Sequence, residues 1–170
     1  MSRAGRTSGA VMGWAVAAVV AAAAHGVMAQ QEEQQQPAAE PSWEEQPYIQ
    51  QDGAFDYGVY NGFRRYHAHC HTCHGPDALG SSFAPALLDS MQHLDYAEFL
   101  DVVVNGRENV GTGQQNVMPG FGLVPDVMLY IDHIYAYLKA RADGDLGRGR
   151  PERLPPEEDP IWQDYQAQQG

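Results

Sequence analysis

The sequence is short of most features that assign a function directly. It has only two cysteines, Cys70 and Cys73, so no second cysteine pair exists to complete a four-ligand zinc site. A disulfide between residues three apart would close a tiny loop and stabilise little. A thioredoxin-like redox pair would follow a strand, and the preceding segment is not strand-like. Basic residues are scarce: the formal net charge is −12, which argues against nucleic-acid binding. Long apolar runs are scarce too. The run from Ala10 to Ala24 is 15 residues, short of the roughly 20 a membrane helix needs, and nothing comparable follows it. No strand pattern is convincing, and there is no internal repeat.

What is present is Cys70-His71-Thr72-Cys73-His74. Two cysteines separated by two residues and followed at once by histidine are the attachment signature of a c-type haem, and the motif occurs once. Each thiol adds to one vinyl group of the porphyrin, one helical turn separates the sulfurs, and His74 becomes the proximal ligand of the iron. The opposite ligand is expected downstream. Met118, in a glycine-rich stretch with Pro119 behind it, is the candidate; Met91 comes too soon after the motif, and Met128 belongs to the last helix. His67, His69, His71, His93 and His133 read as surface or packing residues, with a bis-histidine haem the exception to keep open. Iron held by His74 and Met118 has no open position, which favours electron transfer over oxygen or peroxide chemistry.

The chain divides into four stretches. Residues 1–29 read as a secretory signal, with Arg3 and Arg6 before the apolar run and Val27-Met28-Ala29 at a cleavage point. Cleavage is expected, so no stable membrane insertion should follow, and export to the periplasm agrees with a haem attached outside the cytoplasm. Residues 30–52 are rich in Gln, Glu and Pro and read as a disordered acidic linker in which Trp43 and Tyr48 are incidental. Residues 53–150 form a single haem domain, and residues 151–170 read as a flexible acidic tail despite Trp162 and Tyr165. Six acids and no base fall in 30–52, and five acids against one base in 151–170, so much of the negative charge belongs to solvated arms.

Within the domain, Phe55, Val59, Phe63, Tyr66 and Cys70 recur at three- and four-residue steps and predict a helix leading into the haem motif. Gly62 inside it needs a packing reason, such as close approach of a second helix. Asp95 with Glu98 predicts a capping box opening a helix through Asn105, with Gly106 as its stop. The stretch Arg107 to Gly122 reads as a loop carrying Met118. Pro125 suits the first turn of a last helix bearing Val127, Tyr130, Ile131, Ile134, Tyr137 and Leu138 on one face, with Lys139 and Arg141 in its final turn.

This order of helix, haem motif, loop, helix, methionine loop and helix resembles the class I cytochrome c fold, an all-α fold with three main helices around one covalently attached haem. The resemblance implies that Gly62 and Tyr66 cross Tyr137 on the last helix, that the Pro85 carbonyl accepts the proximal histidine's N–H, and that Leu87 packs on the haem face. A narrower likeness lies in 60–67, 114–119, 140–144 and 147–151, which resemble the periplasmic cytochromes that accompany pyrroloquinoline quinone (PQQ)-dependent methanol and alcohol dehydrogenases. It implies a monomeric one-electron carrier, not an enzyme, that takes electrons from such a dehydrogenase and passes them to a terminal oxidase or another cytochrome. Phe83, Ala84, Gly120 and Phe121 are expected around the haem edge. The alternatives are a haem sensor or peroxidase-like enzyme, or an electron-entry module fixed in a larger complex.

Overall fold

The computed structural model of the protein describes residues 42–111 and 114–170; the expected signal, and the linker as far as residue 41, lie outside the described residues. Two short strands, β1 (Gln50–Gln51) and β2 (Ala54–Phe55), form a hairpin. Its turn is Asp52-Gly53, both in the left-handed region (φ 51° and 86°), as a two-residue hairpin turn requires. Helix α1 (Tyr57–His69) follows. Asp56 caps it through a 3.1 Å bond from the Val59 amide. After α2 (His71–His74) come a 3₁₀ turn at Pro76–Ala78 and α3 (Leu88–Met91). The capping box at Asp95 and Glu98 is present at the start of α4 (Tyr96–Asn105), and Gly106 ends it at φ 78°.

The expected loop after Gly106 is instead an antiparallel hairpin, β3 (Arg107–Gly111) and β4 (Gln114–Met118), in which Arg107 pairs with Met118. The expected last helix is broken into α5 (Pro125–Met128) and α6 (Ile131–Ala142), with Tyr130 leaving helical geometry at φ −129°, ψ 25°. α1 and α6 make the most extensive helix pair. Gly62 allows it: a Cβ there would fall inside the His133 carbonyl oxygen and 2.9 Å from the Tyr137 Cβ. The Tyr66 and Tyr137 rings lie 5.3 Å apart across this crossing. The all-α class holds, with the small strands added around α1, α4 and α6.

Both terminal arms correct their expected looseness where they are described. Tyr48 is buried, and its hydroxyl lies 2.9 Å from Asp143 and 2.7 Å from Asp145 at the end of α6. Trp43 packs edge-on to Tyr96 and beside Tyr135, whose hydroxyl donates to the Glu44 carbonyl. Residues 42–52 are therefore anchored by the two aromatics that composition alone makes incidental.

At the other end, β5 (Glu152–Arg153) joins β2 in parallel, and α7 (Pro160–Ala167) sets Trp162 and Tyr165 against Tyr57 at 4.8 and 4.9 Å. Arg153 lies over the rings of Tyr57, Tyr60 and Trp162. Asp159, wholly buried, accepts from the Tyr57 and Trp162 amides. A few well-placed anchors hold a segment whose average composition is polar.

Candidate functional site

Helix α1 runs straight into the cysteine motif. The Cys70 amide still bonds the Tyr66 carbonyl at 2.8 Å, and the single turn α2 continues with the Cys73 and His74 amides on the Cys70 carbonyl at 3.2 and 3.0 Å. This places the thiols one turn apart and His74 directly after them. The two cysteines are not joined to each other; Cys70 is half-buried and Cys73 exposed. Burial, with Cys73 nearby, pushes the Cys70 thiol up to about 12, so it stays neutral near pH 7.

His74 is buried, and its Nδ1 lies 3.2 Å from the Pro85 carbonyl oxygen. A carbonyl can only accept, so Nδ1 carries the proton and Nε2 keeps its lone pair free for a metal.

One apolar cavity brings the expected groups together: His74, Cys70, Leu87, Met118 and Phe121 all line it. Among the described residues its walls are apolar apart from His74 and Ser90, which suits a flat, largely apolar macrocycle. The donor set suits iron, with an imidazole and a thioether on one cavity and a thiol at its wall. The residues present therefore fit a haem held through Cys70 and Cys73, and such a group supplies one-electron iron redox chemistry when bound.

Met118 reaches the cavity from the end of β4 rather than from a free loop. The backbone behind it is pinned to α4: Phe121 and Gly122 donate to the carbonyls of Val103 and Val104 at 2.8 and 3.1 Å. Gly120 permits that approach, since a Cβ there would meet the Val104 oxygen at 2.7 Å. Met91, set aside by its position in sequence, is buried and lines the same cavity. The signal for it was available, because Leu87, Leu88 and Met91 share helical spacing. Met128 is half-buried and is not among the lining residues.

Among the described residues His74 is the one histidine on the cavity. His67 donates to the Phe63 carbonyl, His69 pairs with Asp126 at 2.8 Å, and His133 meets the Asn61 amide at 2.9 Å. Burial lowers the pKa of His133 and keeps it neutral. The His69 contact, despite a small burial effect and helped by Arg65, holds Asp126 below the usual carboxylate range.

The residues flanking the cavity in sequence are unusually apolar and exposed. Phe83 is 70 % exposed, Val117 65 %, Leu123 98 % and Leu129 76 %. Phe83 precedes the Pro85 support, while Val117 and Leu123 adjoin the Met118–Phe121 wall. Phe121 itself faces the cavity, and Gly120 is exposed beside it.

Comparison with known proteins agrees with this construction. Residues 59–138 match a family model described as cytochrome c oxidase, cbb3-type, subunit III. The chain is 50 % identical over 103 residues to cytochrome c-553I of Paracoccus denitrificans, covering 61 % of this chain but only 46 % of that protein. It is 38 % identical over 99 residues to cytochrome c-555 of Methylococcus capsulatus, covering 58 % of this chain and 74 % of that one. A solved structure, c-type cytochrome XoxG from Methylobacterium extorquens AM1, superposes with a TM-score of 0.60 at 41 % identity, covering 71 % of this chain and 74 % of that chain. With its single cysteine–histidine motif opening onto this cavity, the chain belongs to the class I c-type cytochromes, electron carriers with covalently bound haem c.

Proposed function

We propose that the chain is a periplasmic carrier that accepts single electrons from a PQQ-dependent alcohol dehydrogenase, methanol dehydrogenase included, and delivers them toward a terminal oxidase or another cytochrome. Cys70 and Cys73 would form the thioether bonds, His74 and Met118 the axial pair, and Pro85 and Leu87 the support. The observation that carries the reading is the convergence of His74 and Met118 on one apolar cavity. Two protein ligands leave the metal without a substrate position, so this chain's residues serve to hold the site, exclude water and fix its potential. The exposed apolar side chains Phe83, Val117, Leu123 and Leu129 suit the small, brief contacts of redox partners. The donor assignment rests on the likeness in residues 60–67, 114–119, 140–144 and 147–151.

Stopped-flow reduction of the oxidised protein by a PQQ-dependent dehydrogenase from the same cell, with and without alcohol, tests the pairing. Fast, alcohol-dependent reduction is expected, and its salt dependence measures electrostatic steering. Slow reduction, alongside rapid reduction by another periplasmic donor, would remove the dehydrogenase while leaving the carrier.

A further inference from the structure

The turn immediately after His74 is strained, and the strain is held from three directions. Asp77 and Ala78 are consecutive non-glycine residues in the left-handed region, at φ 59° and 61°. Such a conformation is costly and persists only where the surroundings over-determine it. From α1, the buried Tyr66 hydroxyl donates to the Gly75 carbonyl at 2.6 Å. From α6, the buried Arg141 donates through Nε and Nη2 to the Asp77 carbonyl at 3.3 and 3.2 Å. From the segment after α6, the Gly149 amide and Arg148 Nε donate to the two Asp77 carboxylate oxygens at 2.8 and 3.1 Å.

The turn is in turn tied to the loop that supports His74. The Leu87 amide donates to the Ala78 carbonyl at 2.9 Å, two residues from Pro85, and the Gly80 amide donates to the His74 carbonyl at 2.7 Å. A side chain on Gly75 would strike the Gly80 backbone, and one on Gly80 would strike the backbone of Pro85 and Ala86. The position of the Pro85 carbonyl relative to His74 Nδ1 is therefore fixed through this turn.

We infer that Asp77, with Tyr66 and Arg148, positions the proximal histidine: by clamping the 75–78 turn they set the length of the His74–Pro85 hydrogen bond and thereby the reduction potential. The inference rests on His74 being an axial ligand. A shorter Nδ1–H bond to an acceptor makes the imidazole a stronger donor to iron and favours the oxidised state. Loosening the clamp lengthens that bond and raises the potential.

The test is redox titration of the holoprotein, wild type against Asp77→Ala, Tyr66→Phe and Arg148→Ala, with amide exchange at Leu87 and Gly80 read in parallel. The wild-type spectrum, recorded first, reports the ligand assignment on its own. Asp77→Ala should shift the reduced-to-oxidised ratio at a fixed applied potential by about fivefold toward reduced, the equivalent of one net hydrogen bond. Exchange at Leu87 should quicken. Asp77→Asn, which tolerates positive φ and can still accept from Gly149, should restore most of both. If Asp77→Ala does not accumulate as holoprotein, Tyr66→Phe and Arg148→Ala decide with smaller shifts of the same sign. Potentials equal to wild type in the variants that fold, even with lower melting temperatures, would show the clamp to be structural alone and overturn the inference.

Discussion

Replacing Gly62 with alanine probes the contact on which the whole domain closes. In an isolated helix the change would help by about 1 kcal/mol. Here the added Cβ would fall inside the His133 carbonyl oxygen and 2.9 Å from the Tyr137 Cβ. Neither neighbour can turn away, since one is backbone and the other is fixed to it. The helices must separate, and Tyr66 and Tyr137, both wholly buried, lose part of their 5.3 Å contact. Overpacking of this kind costs about 1–3 kcal/mol, and the rigid neighbours put Gly62 at or above the upper end. Less the gain in helix propensity, the net loss is about 2 kcal/mol.

For a domain of this size that corresponds to a fall in melting temperature of about 6–10 °C. The assay is thermal unfolding of the holoprotein, followed by far-ultraviolet circular dichroism and by Soret absorption. Gly147→Ala is the control, because Gly147 has ordinary φ and no atom within 4 Å of a built Cβ. Its effect should be within about 0.5 kcal/mol. A Gly62→Ala variant as stable as wild type would refute the close-approach argument.

Met118→Ala should abolish the sulfur–iron absorption at the red end of the oxidised spectrum, lower the potential and let the reduced protein bind carbon monoxide; persistence of that band would reject Met118 as ligand. At Asp77, burial would raise the pKa, but the Gly149 amide, Arg148 and Arg141 outweigh it and hold the carboxyl low. With the folded value below the unfolded one of about 3.9, its contribution is complete above about pH 5 and drains away as pH falls toward the folded value. Asp77→Asn should therefore flatten the acid limb of stability against pH, and an unchanged limb would contradict it. Removing residues 151–170 should cost about 3 kcal/mol or more, through loss of the buried Leu154 and the Trp162 and Tyr165 packing on Tyr57, whereas a loose tail could be removed without effect on denaturant midpoint.

The parts of the molecule legible in sequence are those with repeated or stereochemically narrow signals. α1 announces itself by apolar spacing, α4 by a capping box and a terminal glycine, and the site by cysteine spacing. Gly62, Tyr66, Tyr137 and Pro85 were legible through resemblance. The strands were not, because three of them are two residues long and cannot display an alternating pattern. Asp52-Gly53 was the available hairpin signal.

The order of the arms is hidden for a different reason. Their ordering depends on single anchors, Trp43, Tyr48, Leu154 and Trp162, diluted among Gln, Glu and Pro, and on partners about a hundred residues away, such as Asp143 and Asp145 for Tyr48. Arg141 looked like a helix-end cation; its guanidinium is instead buried against the carbonyls of Asp77 and Leu146.

The parallel pairing of Ala54 and Phe55 with Glu152 and Arg153 also orders events in time. It joins backbone 98 residues apart in sequence, Ala54 to Glu152, so it cannot form until the intervening helices have condensed and shortened the effective loop. The strap is thus the last piece to close during folding and the first to open during partial unfolding. A protease meeting the native ensemble should cut beyond Arg150 before it cuts anywhere in α1, α4 or α6.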